Sequence, residues 1–306
     1  MKRCFLNERL KNIFLKNRYM RFIKMTGGLG NQMFIYAFYM RMKKHYSNTR
    51  IDLSDMVHYK AHNGYEMHRV FNLPPIEFRI NQPLKKVIEF LFFKKIYERK
   101  QVPSSLVPYD KKYFWPLLYF KGFYQSERFF ADMADDIRKA FTFNLRLSNK
   151  KTKEMSEQID HDENAVSIHV RRGDYLEPKY WKTTGCVCQL PYYLNAIAEM
   201  NKRISQPSYY VFSDDIAWVK ENLPLPKAFF IDWNKGAESW QDMMLMSRCR
   251  HHIICNSTFS WWGAWLNPRE NKTVIMPERW FRHCETPDIC PDKWIKVPIN
   301  QPDSIQ

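Results

Sequence analysis

The chain has 306 residues, 45% hydrophobic and 16% aromatic, a composition that supports a sizeable core and excludes global disorder. Lysine and arginine outnumber aspartate and glutamate by 48 to 32, a formal net charge of +16. A surface this basic attracts nucleic acid, anionic membrane or an anionic nucleotide sugar alike, so charge narrows the partners without choosing among them.

In residues 1–20, Leu6, Leu10, Ile13 and Phe14 recur at helical spacing among Lys2, Arg3, Arg9, Lys11, Lys16 and Arg18. The pattern predicts a basic amphipathic extension, suited to an anionic membrane surface or to packing on the first domain. Charges interrupt every candidate signal-peptide core, and no run of about 18 uncharged apolar residues exists for a spanning helix. A cytoplasmic protein is expected, at most peripheral on the membrane's cytoplasmic face.

Residues 22–25 predict a short strand leading into Gly27-Gly28-Leu29-Gly30-Asn31-Gln32-Met33-Phe34, with a buried helix over the apolar run 35–40. Gly28 and Gly30 let backbone approach a ligand closely, although the dinucleotide fingerprint of dehydrogenases is not matched. Asn31 and Gln32 at the helix start suit a polar diphosphate or a sugar better than a hydrophobic cofactor. The following stretch is basic and poorly patterned, with a helical patch at 87–91. Its aromatic residues Trp115, Tyr119, Phe123 and Tyr124 either offer flat faces to a sugar or fill a core. Polar, solvated segments at 150–154 and 160–164 put the domain boundary at 160/161 and define domains 21–160 and 161–306.

Beyond that point strands and helices alternate: strand 165–170, helix 191–203, strand 208–213, helix 215–222, strand 228–231, helix 238–248, strand 251–255 and helix 258–266. This order predicts an α/β fold with a parallel sheet and right-handed crossovers. The first of these strands ends in Arg171-Arg172-Gly173-Asp174-Tyr175, two guanidinium forks and a glycine turn where open α/β sheets bind ligands. Alternation puts His169 and Arg171 on one face and turns Arg172 away. Arg172 and Asp174 are a candidate internal ion pair, as an alternative to direct ligand contact. Asp214 and Asp215 are adjacent, so at a strand end they point to opposite sides rather than chelate one ion. Segment 256–267, Asn-Ser-Thr-Phe-Ser-Trp-Trp-Gly-Ala-Trp-Leu-Asn, joins a strand, a hydroxyl-rich turn and a helix start, where N–H groups and partial positive charge converge on an anion. The seven cysteines are odd in number, and Cys186-Val187-Cys188 is too tight for a usual zinc pair. Reduced thiols are expected.

These strings, in this order, resemble the bacterial α-1,2-fucosyltransferases, glycosyltransferase family 11. The matching residues are 27–34, His-Val-Arg-Arg-Gly-Asp-Tyr at 169–175, Val-Phe-Ser-Asp-Asp at 211–215 and the whole of 256–267. Gly122-Phe123-Tyr124-Gln125-Ser126-Glu127 matches with its two aromatics exchanged. The resemblance implies a GT-B-type fold, two Rossmann-like domains with the active site in the cleft between them. It further implies GDP-fucose as donor, inversion at the anomeric carbon, and neither a cofactor nor a divalent metal.

By the same resemblance Arg171 holds the donor β-phosphate and stabilises the leaving GDP, and His169 contacts the nucleotide. Ser257, Thr258 and Phe259, with Ser260 beside them, bind the diphosphate. Asn31 of the Gly28–Gly30 turn reaches the phosphates from the other domain. Asp214 or Asp215 accepts hydrogen bonds from guanine or ribose. Asp174, Glu66 and Glu127 are the candidate bases. The implied acceptor is a terminal β-galactose that takes fucose on its 2-hydroxyl, free or lipid-linked, as in surface-polysaccharide or O-antigen assembly. Two other readings remain: another GT-B nucleotide-sugar transferase, and a non-enzymatic nucleic-acid-binding protein. The latter requires basic residues interleaved with exposed aromatics, whereas these aromatics fall in expected core helices.

Overall fold

The structure, a computed structural model, describes residues 20–59, 62–74, 80, 81, 83, 85–87 and 119–299. The amphipathic segment up to residue 19, most of the 87–91 patch and Trp115 lie outside the described residues. The chain divides into two compact units, Met1–Thr142 and Phe143–Gln306.

The first unit is built on β1 (Arg21–Lys24), β2 (Thr49–Asp52) and β3 (Tyr119–Phe120), all parallel in the order β2-β1-β3. Helix α1 (Leu29–His45) crosses from β1 to β2 and is buried along most of its length, at Leu29, at Gly30, from Gln32 to Tyr39 and at Met42. Phe38 on that helix stacks on Tyr124 at 3.9 Å and meets Phe120 and Phe129 edge-on, so these three aromatics supply core, while Phe123 is half-buried. Tyr124 and Tyr119 are thereby buried, Tyr119 with its hydroxyl donated to Asp52 Oδ2 at 2.9 Å, and neither presents a flat face to a sugar. A short helix, α2 (Ala134–Ala140), buries Ile137.

The second unit holds a six-stranded, wholly parallel sheet in the order β6-β5-β4-β7-β8-β9. Its elements in chain order are α3 (Lys150–His161), β4 (Ala165–Val170), α4 (Leu190–Arg203), β5 (Ser208–Ser213), α5 (Ile216–Asn222), β6 (Ala228–Ile231), α6 (Trp240–Arg248), β7 (His251–Ile253), α7 (Thr258–Leu266), β8 (Val274–Pro277) and β9 (Ile295–Val297). All six residues of β4 are buried, the mark of a central parallel strand covered on both faces. The chain starts at β4, works outward through β5 and β6, then returns to lay β7 against the other side of β4. This reversal puts a topological switch point between the C-terminal ends of β4 and β7, where open parallel sheets bind ligands.

Two expectations are corrected. The units part at 142/143, not 160/161, because the polar segment after 149 is a helix that belongs to the second unit. Asn149 caps it by accepting from Thr152 N at 2.9 Å, donates Nδ2 to Asn234 Oδ1 at 2.8 Å, and donates its backbone N–H to Gln241 Oε1 at 2.9 Å. Arg248 of α6 then pairs with Asp160 near the helix end. Strand 251–255 stops at Ile253. Ile254 and Cys255 remain buried but leave the ladder for the turn, with Tyr192 Oη donating to Ile254 O.

Candidate active site

Strand β4 delivers His169 and then Arg171 to the switch point, and the β7–α7 turn delivers 254–259. The two sides touch. His169 Nδ1 lies 3.2 Å from Cys255 Sγ, its ring centroid is 5.8 Å from that of Phe259, and Tyr175 Oη donates to Asn256 O at 3.1 Å. Burial, with help from the Arg171 charge, pushes the His169 pKa down to about 3, while burial pushes the Cys255 thiol up to about 12. Near neutral pH the thiol is protonated and the imidazole neutral. A neutral thiol and a neutral imidazole therefore share the hydrogen bond at Nδ1, its direction set by the imidazole tautomer.

That burial carries a pH signature. An unfolded histidine titrates near its ordinary 6.5, so between about 6.5 and about 3 the unfolded chain binds a proton the folded His169 refuses. The associated stability is complete above pH 6.5 and is lost as pH falls towards 3. His169→Gln is expected to flatten the drop in urea midpoint between pH 6.5 and 4. Equal slopes for the variant and the unaltered protein would contradict this.

Arg171 is held by Asp174, whose Oδ1 accepts from Arg171 Nε at 3.0 Å and from a terminal N–H at 2.8 Å, and its guanidinium lies 5.2 Å from the Tyr175 ring centroid. Burial opposes the Arg171 charge, but Asp174, Tyr175 and Asp214 outweigh it and raise its pKa further. The expected Arg172–Asp174 pair is therefore replaced by Arg171–Asp174. Arg172 instead donates Nε to Asp215 Oδ2 at 3.0 Å and stacks 4.1 Å over the Trp218 ring. Asp215 Oδ1 meanwhile accepts from Trp218 N at 3.1 Å as the cap of α5. Both Asp215 oxygens are thus engaged within the protein. Asp214 Oδ1 accepts the Arg172 N–H at 2.8 Å, and Oδ2 stands 2.7 Å from where a Cβ on Gly173 would sit, so a larger residue there would displace the Asp214 carboxylate. The carboxylates shape the arginine turn, and Asp214 Oδ2 is the oxygen of the pair not used in these three hydrogen bonds.

On the opposite lip, Ser257 caps α7 by accepting from Phe259 N at 3.3 Å, and its carbonyl takes Trp261 N at 3.0 Å. By helical geometry the N–H groups of Thr258 and Ser260 have no carbonyl within the helix, and the positive end of the α7 dipole sits with them. The Ser260 hydroxyl turns inward, 1% exposed, donating to Ser257 O at 3.2 Å, so its side chain is removed from the ligand-binding set. Two arginines face three aspartates here, a balance of 2 − 3 = −1. Attraction of an anion therefore depends on directed donors, Arg171 and the α7 amides, more than on net potential.

In the first unit, Gly27 adopts φ +84, and a Cβ on Gly28 would lie 3.2 Å from the His62 ring. Gly30 is buried in the first turn of α1, and half-buried Asn31 follows it. Glu66 is buried, its pKa raised by desolvation, and its Oε1 accepts from Arg69 at 2.6 Å and Asn63 at 3.2 Å. Neither Glu66 nor Asp174 is a free base. Cys255, Tyr175 and the Trp218 platform were missed by sequence reasoning. Only Tyr175 carried a signal, as the last residue of the arginine motif.

A parallel sheet with an arginine fork and a capped helix start at its switch point places the chain in a class, the open α/β proteins whose ligand site lies at the C-terminal ends of the strands. Within it, the chain belongs to glycosyl transferase family 11, whose family model matches residues 11–297. It is 32% identical over 293 residues to an alpha-1,2-colitosyltransferase of Escherichia coli, covering 90% of this chain and 97% of that protein. It is 31% identical over 160 residues to a galactoside alpha-(1,2)-fucosyltransferase 1 of Ateles belzebuth, covering 49% of this chain and 43% of that one. Among solved structures, the NodZ alpha-1,6-fucosyltransferase co-crystallized with GDP covers 85% of this chain and 95% of its own at 14% identity and a TM-score of 0.49, too distant to carry residue roles across.

Proposed function

We propose that the enzyme moves L-fucose from GDP-fucose to the 2-hydroxyl of a galactose-terminated glycan, with inversion and in α-1,2 linkage. The observation that carries this reading is the meeting of Arg171 and the α7 N-terminus at the switch point between β4 and β7. The acceptor oxygen bonds to fucose C1 from the face opposite the nucleotide. The C1–O bond to the β-phosphate breaks, its electron pair leaves with GDP, and the acceptor proton passes to water. Charge developing on the departing phosphate is met by Arg171 and the α7 amides. An oxocarbenium-like transition state fits this chemistry. A second reading, with colitose as the transferred sugar, is favoured by the 32% identity to the colitosyltransferase over 90% of the chain.

GDP should raise the melting temperature by several degrees at about 100 times its Kd, and UDP should not. Equal stabilisation by UDP would reject the donor assignment. Because positive charge at the leaving group comes from protein, turnover should survive excess EDTA. Loss on chelation with recovery in Mg²⁺ or Mn²⁺ would refute the metal-free reading.

No helix among the described residues is long and apolar enough to cross a membrane. The basic segment 1–20 would hold the enzyme peripherally on an anionic surface near a lipid-linked acceptor. Removing it should weaken sedimentation with anionic vesicles while leaving transfer to a soluble galactoside unchanged. Unaltered sedimentation would refute the membrane role.

A further inference from the structure

Side-chain amides brace the glycine turn of the first unit. Fully buried Gln32 donates Nε2 to Gly27 O at 2.8 Å and to Gly64 O at 2.7 Å, and takes Glu66 N on its Oε1 at 3.0 Å. All its polar capacity goes into the main chain. The neighbouring amide pair differs. Gln125, 7% exposed, donates Nε2 to Asn31 Oδ1 at 2.7 Å, and its own Oε1 is buried with no hydrogen-bond partner. Asn31 is half-buried, and its Nδ2 stands 3.0 Å from where a Cβ on Gly27 would sit.

An amide carries an acceptor oxygen and a donor NH₂. When two amides share one hydrogen bond, one donor group and one acceptor remain, whichever way the pair is turned over. A buried amide oxygen without a partner is costly and calls for an explanation. The segment that carries Gln125 is also strained: Tyr124 adopts φ +52 and is clamped by its stack on Phe38. Left-handed conformations at such residues persist where surroundings over-determine them, and they gather at functional positions.

We propose that the Asn31–Gln125 pair reads a sugar hydroxyl, with Gln125 the positioning residue that decides which end of the Asn31 amide meets the substrate. A diphosphate offers only acceptors near neutral pH and leaves the Gln125 oxygen unanswered. A pyranoside hydroxyl both donates and accepts, so one hydroxyl, or two adjacent ones, completes both ends of the pair. This assigns Asn31 to a sugar in place of the phosphate contact implied by family resemblance. The hydroxyl belongs either to the acceptor sugar or to the donor's pyranose ring, and the identity of both sugars rests on the proposed function above.

The test compares the unaltered full chain with Gln125→Met, which keeps length and removes the amide. GDP affinity is measured by calorimetry, and KM for GDP-fucose and for a galactoside acceptor by initial rates. GDP affinity should stay within about twofold, while KM for one of the two sugars rises about tenfold or more, the usual penalty for an unanswered hydrogen-bonding group. Monodeoxy analogues of both sugars are then offered, with the 2-deoxygalactoside read as a competitive inhibitor. One analogue should bind about tenfold more weakly to the unaltered protein and no more weakly still to the variant. An acceptor analogue or a donor analogue names which sugar is read, and either supports the proposal. A parallel loss of GDP affinity would return the pair to the diphosphate and overturn it. So would penalties that simply add, or no analogue with a tenfold effect. If Gln125→Met fails to fold, the analogue series on the unaltered protein decides alone. Failure of the proposed function shows separately, as no transfer from GDP-fucose to any galactoside, and the pair is then tested with the sugars the enzyme does accept.

Discussion

Arg171→Ala is expected to lower turnover by about 100- to 1000-fold, the usual loss for one directed donor at a developing oxyanion, about 3–4 kcal/mol of barrier. The guanidinium is oriented by two contacts to Asp174, at 3.0 and 2.8 Å, so in the proposed reaction it would meet the leaving phosphate without reorganising. Arg171→Lys should also be poor, since a point charge cannot reproduce the fork. Circular dichroism and the melting curve should stay near those of the unaltered protein, because β4 is buried along its length independently of this side chain. Near-normal turnover in Arg171→Ala would remove the phosphate assignment.

Gly185→Ala is expected to damage stability and donor binding together. A Cβ at Gly185 would lie 1.9 Å from Tyr175 O and 2.8 Å from its carbonyl carbon, so backbone must move to admit it. Tyr175 bonds Asn256 O at 3.1 Å and lies beneath Arg171, so the displacement reaches both lips of the site. Overpacking of this kind costs about 1–3 kcal/mol, a fall of several degrees in melting temperature, and GDP affinity should weaken in the same variant. A variant with unchanged melting temperature and GDP affinity would show that the 175–185 contact is not part of the site's frame.

Local signals carried most of the second unit. Strands 165–170, 208–213 and 228–231 and the helix 258–266 appear where apolar runs, breakers and hydroxyl caps put them. Composition misled at 150–164, where polarity reads as a linker but marks the solvent face of α3, tied down by Asn149 to residues 85 and 92 positions away. Periodicity overran at Ile254 and Cys255 because burial continues after the ladder ends. In the site, motif spacing identified both arginines but could not name their partners. Asp215 and Asp174 differ in reach only once β5 is laid beside β4. The Gln125–Asn31 bond spans 94 positions and the Gly185–Tyr175 approach depends on a turn of backbone, and neither leaves a local trace.

Transfer to one specific hydroxyl is read directly from product linkage. The purified full chain is incubated with GDP-fucose and a β-galactoside, and the product is read by two-dimensional NMR. The expected product carries an α-anomeric fucose with a correlation to C2 of galactose. Linkage through another hydroxyl, a β-anomer, or donor hydrolysis with no disaccharide formed would contradict it.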